Sequence, residues 1–278
     1  MTLAVAWIRR IRDCEELIVA SDSRLTGGRT IDGCAKIILL PRSDAFLCCT
    51  GDTDITYPLA SQVAFTINVY ERSADRSLDI RDLRGHILKV LTKAVEGIDT
   101  RIKTLAYPDR FTQLLFGGYS WEAKAFEIWR LSYSMAEKAF RYQPAPGWCN
   151  GRARVVFAGD WQYKASKRLI NLLRERYSVT PQSDKDFHFN WEPFEVLRDC
   201  LRETAGDPNA SIGGPPQIAK VYQHMNTRPI GVFWPNKESG QIAVGGRLLL
   251  EYEKPGCWVL DPDILRTSHL YYSHDEED

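Results

Sequence analysis

The chain has 278 residues, enough for one large domain, and its 44% hydrophobic and 26% charged residues are the proportions of an ordinary globular protein. Basic and acidic side chains balance at 36 each, so no global charge argues for nucleic acid or an anionic membrane as a partner. The longest apolar runs are about six residues, far short of the roughly 20 that a membrane helix needs, and no secretory signal is read at the start, so the expected location is the cytoplasm.

Residues 2–9 and 16–20 alternate or run apolar over strand lengths and predict a hairpin, with the charged stretch 9–16 as a long solvated loop. Residues 26–33 carry turn chemistry, and 35–40 with 45–49 predict a second hairpin through Pro41-Arg42-Ser43-Asp44. Asp52 or Thr53 caps a helix with Leu59, Val63 and Ile67 on one face. Asp79 caps the next, with Leu83, Ile87, Leu91, Val95 and Ile98 in one stripe, and Pro108 closes that region. Strands are expected at 111–116, broken by Gly117-Gly118, and at 124–129, 136–141 and 154–157. Helices follow from Gly159-Asp160 and over 191–205, and then strands at 217–222, 228–233 and 241–244. An acidic tail, His274 to Asp278, reads as solvated.

That order of strands, two helices, strands, two helices and strands predicts an α+β fold with two packed sheets and helices on both outer faces, a four-layer α/β/β/α sandwich. A doubly wound parallel sheet fits less well, because the early connections are too short for crossovers. The seven cysteines are scattered without a Cys-x-x-Cys pair, and Cys48-Cys49 on one strand point to opposite faces, a pattern of reduced thiols.

Most site types find no support. There is no Gly-x-x-x-x-Gly-Lys-Ser/Thr loop and no His-Glu-x-x-His helix, and the five histidines show no ligand spacing, so no metal or cofactor is expected. Gly213-Gly214-Pro215-Pro216 lacks the N–H donors of a phosphate cradle. No Gly-x-Ser-x-Gly elbow occurs, although a Ser-His-Asp triad assembled by the fold stays open.

Thr2 stands apart. Directly behind the initiator Met, it becomes the N-terminus once Met1 is clipped, and it then carries both a nucleophilic hydroxyl and its own base. Free α-amines titrate at about 7.7–8.0, near the ideal for a general base at neutral pH. Lys36, Asp22 and the Gly51 N–H, each at the end of a predicted strand, are candidates for the cation, its carboxylate partner and an oxyanion donor. The alternative is an ordinary β-rich start.

Thr2, Ala20-Ser21-Asp22-Ser23-Arg24-Leu25-Thr26-x-Gly28, Ala35-Lys36-Ile37 and Thr50-Gly51-Asp52 resemble, in order and spacing, the proteasome β-subunit family of N-terminal nucleophile (Ntn) hydrolases. The opening is most similar to the bacterial proteasome-like proteases. The resemblance implies a threonine-type peptidase or amidase in which Thr2 attacks, its amine moves the proton, Lys36 lies beside both, Asp22 holds Lys36 and Gly51 N–H faces the oxyanion. It also implies that Thr26 pairs with a substrate strand, and that Leu25, Cys34, Cys49 and Thr53 line a pocket suited to a hydrophobic side chain.

Two departures accompany the resemblance. The family's serine before its third helix is replaced in Phe157-Ala158-Gly159-Asp160, where Asp160 either supplies a carboxylate or caps the helix. Its later Asp-x-x-Ser-Gly support is matched only by Asp207 and Ser211, with one residue inserted and Asn209 competing. The family-like part is 1–235. Residues 236–278 form an extension packed on the same domain, with Gly245-Gly246, Leu248 and Tyr271-Tyr272 as an added strand and assembly surface. A ring-like homo-oligomer is implied by analogy, with any unfoldase partner unidentified. A catalytically silent subunit and a small-amide amidohydrolase are the alternatives.

Overall fold

The computed structural model describes residues 2–27, 29–97, 112–224 and 226–270. The expectations at Gly28, Ile98, Pro108, Phe111, Tyr271-Tyr272 and the acidic tail lie outside the described residues.

The first hairpin pairs β1 (Ala4–Ile11) with β2 (Cys14–Ser21), leaving only Arg12 and Asp13 between them. The charged stretch expected as a long loop is therefore strand. Arg9 faces Glu16 and Arg10 faces Glu15 across the ladder, with Arg9 Nη1 3.5 Å from Glu16 Oε2. Opposite charges in direct register support pairing by roughly 0.2–1 kcal/mol each, so they extend the strands instead of ending them. Arg12 takes φ +53°, the left-handed geometry of a tight turn.

A small hairpin of β3 (Leu25–Gly27) and β4 (Arg29–Ile31) stands where turn chemistry was expected, and is followed by β5 (Ile37–Leu39) and β6 (Ala45–Gly51). Asp52 caps α1 (Thr53–Val69) by accepting from Asp54 N at 3.1 Å. A one-turn α2 (Glu71–Ala74) precedes α3 (Ile80–Val95), which Asp79 caps by accepting from Arg81 N at 2.9 Å. β7 (Thr112–Ser120) runs straight through Gly117 and Gly118. A Cβ on Gly118 would lie 2.5 Å from Asp44 O, so these glycines permit close strand packing and do not break the strand.

β8 (Ala125–Ser134) and β9 (Ala139–Pro144) follow, the latter displaced from 136–141 because Lys138 takes a left-handed turn conformation at φ +51°. Then come β10 (Gly147–Trp148), β11 (Ala153–Ala158), α4 (Gln162–Tyr177), α5 (Glu192–Glu203), β12 (Gln217–Tyr222) and β13 (Asn226–Phe233). The last elements are β14 (Ile242–Val244), β15 (Arg247–Leu248), β16 (Val259–Asp261) and β17 (Arg266–Ser268).

The chain is a mixed α+β protein. Among the described residues the strands form three sheets: a ten-stranded one in the order β10-β11-β1-β2-β12-β13-β14-β15 with β16 and β17 joined to β13, the pair β3-β4, and β5-β6-β7-β8-β9. The ladders are antiparallel apart from β13 with β16. Elements after residue 235 thus continue the first sheet from β13.

Three apolar clusters follow from the strand alternation. Val5, Trp7 and Ile18 of the first sheet pack with Leu169, Leu173, Phe194 and Leu197 of α4 and α5. Leu47, Leu114 and Phe116 of the second sheet pack with Leu59, Val63, Leu83, Ile87 and Leu91 of α1 and α3. Ala6, Val19, Phe46, Cys48 and Leu115 join the opposite strand faces. Cys48 and Cys49 accordingly fall in different clusters. Among the described residues no helix is long and apolar enough to cross a membrane.

Candidate active site

Strand register sets Asp22 opposite Leu3, the neighbour of Thr2. With Ala4 opposite Ser21, the residues just outside the ladder are next to meet: Leu3 N donates to Asp22 Oδ1 (3.1 Å) and Asp22 N donates to Leu3 O (3.1 Å). Lys36, immediately before β5, reaches the same point. Its Nζ donates to Asp22 Oδ1 at 2.7 Å and to Thr2 Oγ1 at 2.9 Å. Arg24 N and Gly213 N donate to the other Asp22 oxygen at 3.2 and 3.3 Å.

Thr2, Asp22 and Lys36 are 2%, 0% and 1% exposed, so their interaction is shielded little by water. Full burial pushes the Asp22 carboxyl upward from its ordinary value. The Lys36 charge and hydrogen bond oppose this, as do the N–H groups of Leu3 and Gly213. The result is an ammonium in direct contact with a hydroxyl and fixed from behind by a carboxylate. That arrangement favours the deprotonated, nucleophilic form of the hydroxyl.

The turn after β11 completes the surroundings of Thr2. Thr2 N donates to Asp160 Oδ2 at 3.3 Å. Asp160 is not a helix cap: α4 begins at Gln162 with Trp161 at its N-cap and no capping side chain. Where the resembling family has a serine, this chain presents a carboxylate to the Thr2 nitrogen. Gly159 has φ +93°, and a Cβ there would lie 2.0 Å from Thr2 O. Gly159→Ala is therefore expected to displace Thr2 and to cost at least about 1–3 kcal/mol in backbone strain. A thermal melt and a high-resolution structure of the variant check this.

The supporting pair behaves differently. Ser211 Oγ accepts from Trp161 Nε1 at 2.9 Å, bracing the turn that carries Asp160. The Asp207 carboxylate accepts from Asn209 N at 2.8 Å, and its carbonyl accepts from Arg24 Nη1 at 2.9 Å.

Of the expected pocket residues, Leu25, Cys49 and Thr53 line a cavity with Thr2, Lys36 and Gly51. Cys49 is a neutral wall there, since burial pushes its thiol up to about 12. Thr26 pairs with Thr30 in the β3–β4 ladder. Cys34 does not line this cavity; its backbone N–H donates to Ser23 O at 3.0 Å, and its thiol is raised by burial and lies close enough to Lys36 and Asp32 to feel their charges. The cavity volume is about 10 Å³, room for about one water. Gly51 closes β6 at φ +102°.

Three further contributors were given no role from the sequence. Tyr57 of α1 donates its hydroxyl to Ala35 O, beside Lys36. Arg24 grips Asp32 through two bonds of 2.7 and 2.9 Å. Gln217 reaches the backbone of Asp22, Cys34, Lys36 and Ile37. Tyr57 and Gln217 arrive from distant segments, where no local pattern marks them, whereas Arg24 stands in the Asp22-Ser23-Arg24 run that carries the resemblance. Among the described residues no group of three or more His, Cys, Asp or Glu side chains is placed to hold a metal ion. No family model matches this chain, and no curated protein does.

Proposed function

We propose that this chain is a threonine-type N-terminal nucleophile hydrolase that cleaves a peptide or amide bond once Met1 has been removed. The observation that carries the reading is the buried row Thr2 Oγ1–Lys36 Nζ–Asp22 Oδ1, joined at 2.9 and 2.7 Å. Thr2 Oγ adds to the substrate carbonyl and its proton passes to the freed α-amine. Lys36 offsets the charge that builds on Oγ, and Gly51 N–H faces the oxyanion, where one good donor contributes about 3–4 kcal/mol. The tetrahedral intermediate collapses as the α-ammonium protonates the leaving amine. Water then hydrolyses the Thr2 ester, with the same amine as base. Asp160 takes the serine's place as partner of the Thr2 nitrogen.

On this reading the three apolar clusters are the interfaces of a four-layer α/β/β/α sandwich. By the same analogy the chain works in the cytoplasm as a ring-like homo-oligomer that secludes the site. The small cavity favours a second reading. About 10 Å³ beside Thr2, in a chain that still carries Met1, fits a silent subunit that keeps Met1 and serves assembly or binding.

The intact mass of untagged protein, followed by a fluorogenic peptide and amide panel, separates the two. A mass lacking one methionine and turnover lost in Thr2→Ala are expected. Retained Met1 with no turnover would establish the silent subunit, and full activity in Thr2→Ala would end the assignment.

A further inference from the structure

Asp22 and Lys36 belong to different sheets. Asp22 follows β2 of the ten-stranded sheet, whereas Lys36 precedes β5 at the edge of the five-stranded one. Their 2.7 Å contact therefore depends on how the two backbones are held at that point. One side chain bonds to both. Gln217, the first residue of β12 and 1% exposed, donates from Nε2 to Asp22 O at 2.9 Å and to Cys34 O at 3.1 Å. Its Oε1 accepts from Lys36 N at 2.9 Å and from Ile37 N at 3.0 Å. Gln217 also sits opposite Ser21 in register, next to Asp22.

A neutral amide offers two donor hydrogens and an acceptor with two lone pairs, and here all four capacities are used. A carboxylate would set oxygen against two carbonyls, and an ammonium would leave two backbone N–H groups unmet. Left unmade, each such bond would strand a buried polar group without a partner, which holds the amide in one orientation. We infer that Gln217 is a positioning residue for the Thr2–Lys36–Asp22 row: a clamp that fixes the separation of the Asp22 and Lys36 backbones and so the approach of Nζ to Thr2 Oγ1. The catalytic consequence rests on the hydrolase reading; the clamp itself does not.

The test compares Gln217→Met, which keeps the bulk and removes all four bonds, with Gln217→Glu, which keeps an acceptor and removes the donors. Leu91→Ala, a core truncation in α3 away from these backbones, controls for lost stability. Circular dichroism establishes folding of each variant at the assay temperature. Two quantities are then read: inactivation by an acylating β-lactone probe (kinact and KI), and the NMR signal of the Lys36 side-chain ammonium.

Both Gln217 variants are expected to lower kinact roughly ten- to hundredfold, the scale of a misplacement of about 1 Å, with KI little changed. They are also expected to shift the Lys36 signal, whereas Leu91→Ala leaves both quantities at wild-type values. Wild-type kinact and an unmoved Lys36 signal in the Gln217 variants would overturn the inference, as would equal effects in Leu91→Ala. Absence of any Thr2 adduct in the wild type, with the Lys36 signal still responding to Gln217, would remove the hydrolase reading and leave the clamp.

Discussion

On the proposed hydrolase reading Lys36→Met is expected to abolish turnover, and on any reading to destabilise the fold; the two effects are separable. Removing the cation takes away the charge in contact with Thr2 Oγ1. Loss of one member of a nucleophilic constellation costs at least about a thousandfold in rate. It also leaves Asp22 buried without its ion-pair partner, a change worth about 3–5 kcal/mol when a buried charge is left uncompensated.

The stability cost depends on pH with a definite sign. Burial raises the Asp22 carboxyl, and Lys36 is the largest influence lowering it, so in the variant the carboxyl rises further. A carboxyl raised in the folded state contributes its stability fully below the unfolded value, about 3.9, and loses it as pH climbs through the folded value. The deficit of Lys36→Met relative to wild type is therefore smallest near pH 4 and largest at neutral pH. Adding Asp22→Asn should recover much of the neutral-pH deficit without restoring turnover. Thermal melts from pH 4 to 8 with parallel activity assays test both statements. Equal stability of Lys36→Met and wild type at pH 7 would show that the pair is not the buried unit described.

Arg42→Met is expected to be the most destabilising substitution away from the site. Arg42 and Asp44 are 1% and 0% exposed and meet through two bonds of 2.6 and 2.7 Å. Arg42 also donates to Ser73 O at 3.2 Å and to Leu78 O at 3.0 Å, tying the β5–β6 connection to α2 and to the approach to α3. The variant leaves a carboxylate and two carbonyls without their donor. The expected loss is about 3–5 kcal/mol, or roughly 10 °C in Tm for a chain of this size. The double variant Arg42→Met/Asp44→Leu should lose less, because it also removes the stranded charge. Hydrogen exchange should rise first across α2 and residues 75–79. If the single variant melts within 2 °C of wild type, a shift expected from under about 1 kcal/mol, the pair is not structurally important.

This pair shows where sequence reading stops. Pro41-Arg42-Ser43-Asp44 has the composition of a surface turn, and nothing local says that its charges are enclosed. Gly117-Gly118 is the opposite case: a pair with the composition of a strand breaker whose members are strand residues, Gly117 against Phe46 and Gly118 against Asp44. The Arg9–Glu16 charges have the composition of a loop because strand propensity ranks single residues, whereas pairing depends on what stands opposite.

The sequence by itself determined the elements that rest on local chemistry. These are the alternating strands, the helices over 53–69 and 80–95 with their Asp52 and Asp79 caps, and the candidacy of Thr2, Asp22 and Lys36 at strand ends. Apolar periodicity and capping act within a few residues, so they can be read from a string. Tertiary structure alone decided the rest: that Lys36 touches both Thr2 and Asp22, that Asp160 faces the Thr2 nitrogen and does not cap α4, that Asp207 stays outside the row, and that Gln217 joins its two sides. Those contacts span between 14 and 195 residues of sequence. They exist because register and sheet packing bring distant backbone to within 3 Å or so, and no short-range pattern encodes that approach.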